Sequence, residues 1–259
     1  DLLDGISNKA LEYFANQKAD ASFWNFLRSE QTFKQEFQYI QTLMAMGEVA
    51  YYRGRLDEAE KAFESANNLL NPLVTEYGSR MEVLKTKGAN SFWLGQIAYD
   101  QQNYKVARPF FEEYKVTSGK MYKINPKSKD AITEMSDSSS TLGALYLKLQ
   151  EYKRAKNAFQ ESIKFIDLGL SEQPKNEYLL MTKAETGTWI ANVEEHLGFP
   201  DRAIIKHLEA QSQYKELLKS NKNDRIQEYL AHSYSLIAFI YEGEGNYKKA
   251  YSNIKIATS

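Results

Sequence analysis

A six-residue turn recurs five times along this chain: Gly54-Arg55-Leu56-Asp57-Glu58-Ala59, Gln102-Asn103-Tyr104-Lys105-Val106-Ala107, Gln150-Glu151-Tyr152-Lys153-Arg154-Ala155, Gly198-Phe199-Pro200-Asp201-Arg202-Ala203 and Gly245-Asn246-Tyr247-Lys248-Lys249-Ala250. Its alanines step by 48, 48, 48 and 47 residues. Twelve residues before each alanine stands a small residue (Gly47, Gly95, Gly143, Ala191, Ala238), preceded by an apolar one (Met46, Leu94, Leu142, Ile190, Ile237). Four residues after each alanine stands Phe63, Phe111, Phe159, His207 or Ile254. Self-similarity at a fixed spacing means that one supersecondary unit is built repeatedly. Each copy then buries its apolar face on the next rather than in one central core, so 259 residues need no second domain.

The pattern predicts two antiparallel helices per unit, A and B. A small residue on helix A is expected to let the alanine of helix B come close, and the large residue four later to plug the gap between neighbouring pairs. The Gly or Asn before the aromatic is expected to end helix A in a left-handed cap, and Pro200 suits the first turn of a helix B. A second ladder of breaks falls 19 residues after each alanine, at Gly78, Pro126, Pro174 and Lys222. Ala10 with Phe14, after Gly5 and Asn8, repeats the pattern 49 residues before Ala59. Residues 1–29 therefore read as helix B of a truncated unit and the chain as a piece of something longer, followed by helix pairs at 30–78, 79–126, 127–174, 175–222 and 223–259. Pro72 and Pro109 fall inside predicted B helices and should kink them or shift their ends. The fourth unit departs most, with Glu194 where its counterparts are Ala50, Ala98, Tyr146 and Tyr241, and with His207 for phenylalanine.

Apolar–small, then Gly/Asn–aromatic–x–x–Ala, then an aromatic and a small residue such as Ala66, Ser162, Ala210 or Ala257: these residues carry a resemblance to the tetratricopeptide repeat family along the whole chain. The departure is length, since the usual unit is 34 residues. The additional residues lengthen both helices to about 20 residues, or roughly 30 Å. Long-helix units of this kind resemble those of large bacterial signalling proteins, where they accompany a kinase, cyclase or DNA-binding domain. The resemblance implies an all-α, right-handed α-solenoid of about five and a half helix pairs. It also implies a non-catalytic scaffold whose concave helix-A surface binds a protein or peptide. A ligand-sensing regulatory module of a larger signalling protein is the alternative. The family's carboxylate clamp is not supported: the corresponding positions hold Glu48, Gln96, Ala144, Asn192 and Phe239, and only Asn192 is of the required type.

Chemistry is sparse. Lysine plus arginine number 33 against 34 aspartate plus glutamate, so no global field attracts nucleic acid or an anionic membrane. No stretch is apolar enough to span a bilayer, and the chain opens on acidic residues, Asp1 to Asp4. Without cysteine there is no disulfide, thiolate nucleophile or thiolate metal site; cytoplasm and periplasm both suit such a chain, the cytoplasm slightly more. His196, His207 and His232 lack helical metal-site spacing, His207 reads as a core plug, and Glu195-His196 are neighbours that point about 100° apart. Gly243-x-Gly245 follows a helix and is no phosphate loop, and Ser136 to Thr141 reads as a solvated or tightly packed helix stretch. No cofactor, metal or catalytic group is expected.

Binding is the better-supported reading. Counting from the small residue of each helix A, the groove-facing positions are Glu48, Tyr51 and Tyr52; Gln96, Tyr99 and Asp100; Lys148; Asn192, Glu195 and His196; and Phe239 and Glu242, with Phe92 one turn earlier. Aromatic rings interleaved with amides suit a peptide groove. The preceding turns add Asp137 and Glu185, and this mostly acidic lining favours a neutral or basic protein or peptide, although it also suits a merely solvated face. Trp93 and Trp189 share one phase two units apart; they could anchor a ligand, but their position favours packing between long helices. Terminal units with uncovered apolar faces would allow self-association.

Overall fold

The computed structural model describes residues 30–220 and 223–258. The expected half-unit at 1–29 and the break at Lys222 lie outside them. Among the described residues there are ten α-helices and no strand: α1 (Glu30–Tyr52), α2 (Leu56–Tyr77), α3 (Met81–Asp100), α4 (Tyr104–Ile124), α5 (Lys129–Lys148), α6 (Tyr152–Glu172), α7 (Glu177–His196), α8 (Pro200–Ser220), α9 (Asp224–Gly243) and α10 (Tyr247–Ala257). Odd-numbered helices are the A helices and even-numbered ones the B helices. The chain divides into two units between Gln101 and Gln102. In the first, α1, α2 and α3 pack on one another. In the second, each helix from α4 to α10 packs on the next, and the A helices α5, α7 and α9 also touch in sequence.

Every A-to-B turn reverses through one left-handed residue: Gly54, Gly198 and Gly245 at φ of 73°, 83° and 73°, but Gln102 and Gln150 at 62° and 58°. The expected cap at asparagine is therefore corrected. Asn103 and Asn246 have ordinary negative φ and stand just ahead of α4 and α10, one residue after the true cap. At the B-to-A turns, Ser128, Asn176 and Asn223 accept backbone N–H groups of the next helix, satisfying donors that a helix start leaves open. Pro72 and Pro109 do not interrupt α2 and α4. Each is exposed, as is the residue four earlier (Asn68, Lys105), so water can reach the carbonyl that loses its partner.

The core repeats one contact. Ala59, Ala107, Ala155 and Ala203 are fully buried. What presses on the helix-A glycine, however, is the plug ring and not the alanine: a Cβ added at Gly47 would lie 2.7 Å from the Phe63 ring, and one at Gly143 2.6 Å from that of Phe159. Each ring also stacks on the tryptophan of the following A helix, Phe63 on Trp93 at 5.8 Å and Phe159 on Trp189 at 6.3 Å, with planes within 7° and 6°. Both tryptophans thus pack between helices. Where the small residue is alanine no phenylalanine follows: Ala191 goes with the buried His207, while Ile254, which follows Ala238, is 41% exposed and is not the plug expected there. One methyl group on helix A removes the space that a phenyl ring needs. The serine run is tightly packed, with Ser136, Ser138 and Ser139 buried and Ser136 Oγ 3.3 Å from Ser162 Oγ.

Candidate functional site

In the first unit the C-terminal turns of α1 and α3 bring most of the predicted residues together. Tyr51 donates its hydroxyl proton to Asp100 Oδ2, and Gln96 Nε2 donates to Asp100 Oδ1 at 2.7 Å. Trp93 Nε1 donates to Glu48 Oε1 at 3.2 Å. The Tyr51, Tyr52 and Trp93 rings meet with centroids 5.0–5.8 Å apart and planes inclined by 59–82°, and Phe92 meets Trp93 edge-on. Burial, reinforced by the Asp100 carboxylate that accepts its proton, pushes the Tyr51 hydroxyl up to about 12. Tyr52 is 76% exposed, whereas Phe92 and Tyr99 are half-buried. Trp93, whose phase favours packing between helices over anchoring a ligand, also belongs to this aromatic group.

In the second unit the predicted residues stay apart. Lys148, Glu195, Phe239 and Glu242 are exposed, and Asn192 is half-buried with a carbonyl oxygen that has no partner. The His196 ring stacks on Tyr152 at 4.9 Å. The denser network lies one to two turns nearer the helix starts, where a count from the small residue gives less weight. Tyr178 on α7 donates to Asp137 on α5 at 2.7 Å, and Tyr114 on α4 donates to Glu134 on α5 at 2.7 Å. Burial pushes the Asp137 carboxyl up to about 7, opposed by the Tyr178 hydrogen bond, and pushes Glu185 up against the pull of Arg225. Burial pushes His207 down to about 4; its Nδ1 is 3.4 Å from Ser233 Oγ and its Nε2 is unpartnered. The core-plug reading of His207 holds.

These two shifts have opposite consequences. The Asp137 contribution to stability is present below its unfolded value of 3.8 and is lost as pH rises through about 7. The His207 contribution is present above its unfolded value of 6.5 and is lost as pH falls through about 4. Between pH 4 and 6.5 they offset each other. Urea unfolding at pH 4.5, 5.5 and 6.5 is expected to show a smaller change in the native chain than in a variant lacking His207. His207→Ile should become less stable as pH rises, the Glu185 shift acting in the same sense. Asp137→Asn should become more stable over the same interval, by up to about 3 kcal/mol. Parallel profiles for both variants would refute the assignment.

Two shallow grooves open between consecutive A helices. One of about 360 Å³ lies between α1 and α3, lined by Gln41, Met44, Ala45, Glu48, Lys85, Thr86 and Ala89. The other, of about 170 Å³, lies chiefly between α7 and α9, with Tyr178, Met181, Thr182, Glu185, Arg225 and Ile226 among its walls. Larger hollows at Gln173–Asn176 and around Gly54–Glu58 are surface dips at turns. Among the described residues no three His, Asp or Glu side chains could hold a metal ion, and no helix is long and apolar enough to cross a membrane.

Residues 137–166, from the middle of α5 through the turn into α6, match the tetratricopeptide repeat family. That stretch of the chain carries a tetratricopeptide repeat. The thirty matched residues lie within one A–B pair, so the match speaks for the family and not for a 48-residue period. No curated protein matches the chain. Among solved structures it is similar to BtubC (BKLC) from P. vanneervenii, 14% identical over 86% of this chain and 80% of that one, with a TM-score of 0.65. It is similar to the apo form of RapI, 11% identical over 100% and 90%, at 0.59. It also resembles a Podosopora anserina putative kinesin light chain with nearly identical TPR-like repeats, 11% identical over 86% and 94%, at 0.55. At such identities the likeness concerns the fold, a helix-pair solenoid. A tetratricopeptide fold implies a protein-interaction scaffold, and proteins of this kind are typically non-catalytic.

Proposed function

We propose that this tetratricopeptide protein binds an extended, neutral or basic peptide segment of a protein partner along its A helices, the face that is concave in the superhelices of the family. The observation that carries the reading is that two grooves open between successive A helices, one in each unit. Apolar floors (Met44, Ala45, Ala89; Met181, Leu217, Ile226) with polar edges give contact area together with adaptable hydrogen bonding. The predicted groove residues Glu48, Tyr51, Tyr52, Phe92, Gln96, Tyr99, Asp100, Lys148, Asn192, Glu195, His196, Phe239 and Glu242 stand on A helices, α1 and α3 in the first unit and α5, α7 and α9 in the second. Among those that carry charge, Glu48, Asp100, Glu195 and Glu242 stand against Lys148, a balance that supports a basic segment, by steering and by complementarity.

Panning a random dodecapeptide display library against the immobilised chain should enrich sequences of positive net charge. Ala45→Arg in the first groove and Thr182→Arg in the second should each lower capture about tenfold, with helix content unchanged by circular dichroism. No enrichment, an acidic consensus, or capture indifferent to both substitutions would overturn the proposal.

A further inference from the structure

The aromatic corner where α1 meets α3 carries two carboxylates, Glu48 and Asp100. Glu48 is held by the Trp93 indole N–H, and Asp100 by the Tyr51 hydroxyl and the Gln96 amide. All three donors are neutral, so they orient the carboxylates without cancelling their charge. Beside them lie three steeply inclined rings: Tyr51, the exposed Tyr52, and Trp93, which is backed by Phe63. Elsewhere the chain fills such a setting from within. Arg154 lies 4.1 Å over the Tyr146 ring, bonds the Tyr146 hydroxyl at 2.9 Å and pairs with Glu151 at 2.7 Å. Ring and carboxylate together are what a guanidinium requires, because its plane stacks on an aromatic face while its edge donates to oxygen.

We propose that an arginine side chain of a bound partner segment occupies this corner, its guanidinium lying on the exposed Tyr52 ring and its N–H groups shared between Glu48 and Asp100. This rests on the A-helix surface being the peptide-binding one. A lysine ammonium would gain the charge but neither the stacking nor the fork of donors, so it should bind more weakly.

The probe is the capped pentapeptide Ac-Gly-Ser-Arg-Ser-Gly-NH₂, titrated into the ¹⁵N-labelled full chain while the indole N–H signals are followed. The Trp93 signal should move saturably and that of Trp189 should not. Replacing arginine by citrulline, which keeps the shape and removes the charge, should weaken binding at least about tenfold, with lysine intermediate. Tyr52→Ala should cost about threefold and Tyr52→Phe nothing, since the ring and not the hydroxyl makes the contact; Tyr52 is exposed, so neither change disturbs the fold. Glu48→Gln combined with Asp100→Asn should remove the response. Equal binding of the citrulline peptide, or an unchanged response in the doubly neutral variant, overturns the proposal. If display-selected dodecapeptides are captured with no preference for arginine and no dependence on Glu48 and Asp100, this inference fails and the groove reading stands. If no dodecapeptide is captured, both fail.

Discussion

Truncating Phe159 to alanine is expected to destabilise the chain by about 3–5 kcal/mol, seen as a lower urea midpoint by circular dichroism. The ring is fully buried, with Gly143 against its outer atoms and Trp189 stacked on it. Removing it opens a cavity that a rigid pair of long helices cannot collapse. The reverse change tests the same geometry. Gly143→Ala places a Cβ 2.6 Å from the ring and should cost about 1–3 kcal/mol by overpacking. Joined with Phe159→Ile, the alanine should cost less than it does alone, so the two changes are coupled rather than additive. Additive costs would show that glycine and ring do not share one space.

Lys156→Met is expected to cost about 3 kcal/mol, because it strands a carboxylate in the core. Glu194 is 5% exposed; its Oε1 lies 2.6 Å from Lys156 Nζ and its Oε2 has no partner. Ala50, Ala98 and Tyr146, at the same phase in other units, are equally buried and uncharged. Lys156→Met combined with Glu194→Tyr should therefore recover the native midpoint or exceed it, since no buried charge remains to be compensated. If the double variant is as unstable as the single one, the ion pair is not what holds α6 against α7 at that point.

The misfits of the fourth unit were visible before any coordinate, as Glu194 and His207 standing where small, apolar or aromatic residues recur. Their remedies were not. Lys156 lies 38 residues before Glu194, and Ser233 lies 26 after His207, so each compensation comes from a neighbouring helix that no local pattern names. The same holds for the tryptophans. Their common phase was legible, but that each would stack on a plug ring depended on which helix came to lie opposite. Of the candidate binding residues, those of α1 and α3 converge because aromatic side chains are long enough to meet across two helices. Those of α5, α7 and α9 remain separate because their side chains are shorter or point to solvent.

Helix identity, pairing order and the alternation of small and large residues were determined by the sequence alone, because turn chemistry and helical period act between residues near in the chain. The tertiary structure alone decided what meets the glycines, which residue takes the left-handed cap, and which charges are neutralised. Those outcomes depend on distances of a few ångströms between helices, and such distances follow from packing rather than from spacing along the chain.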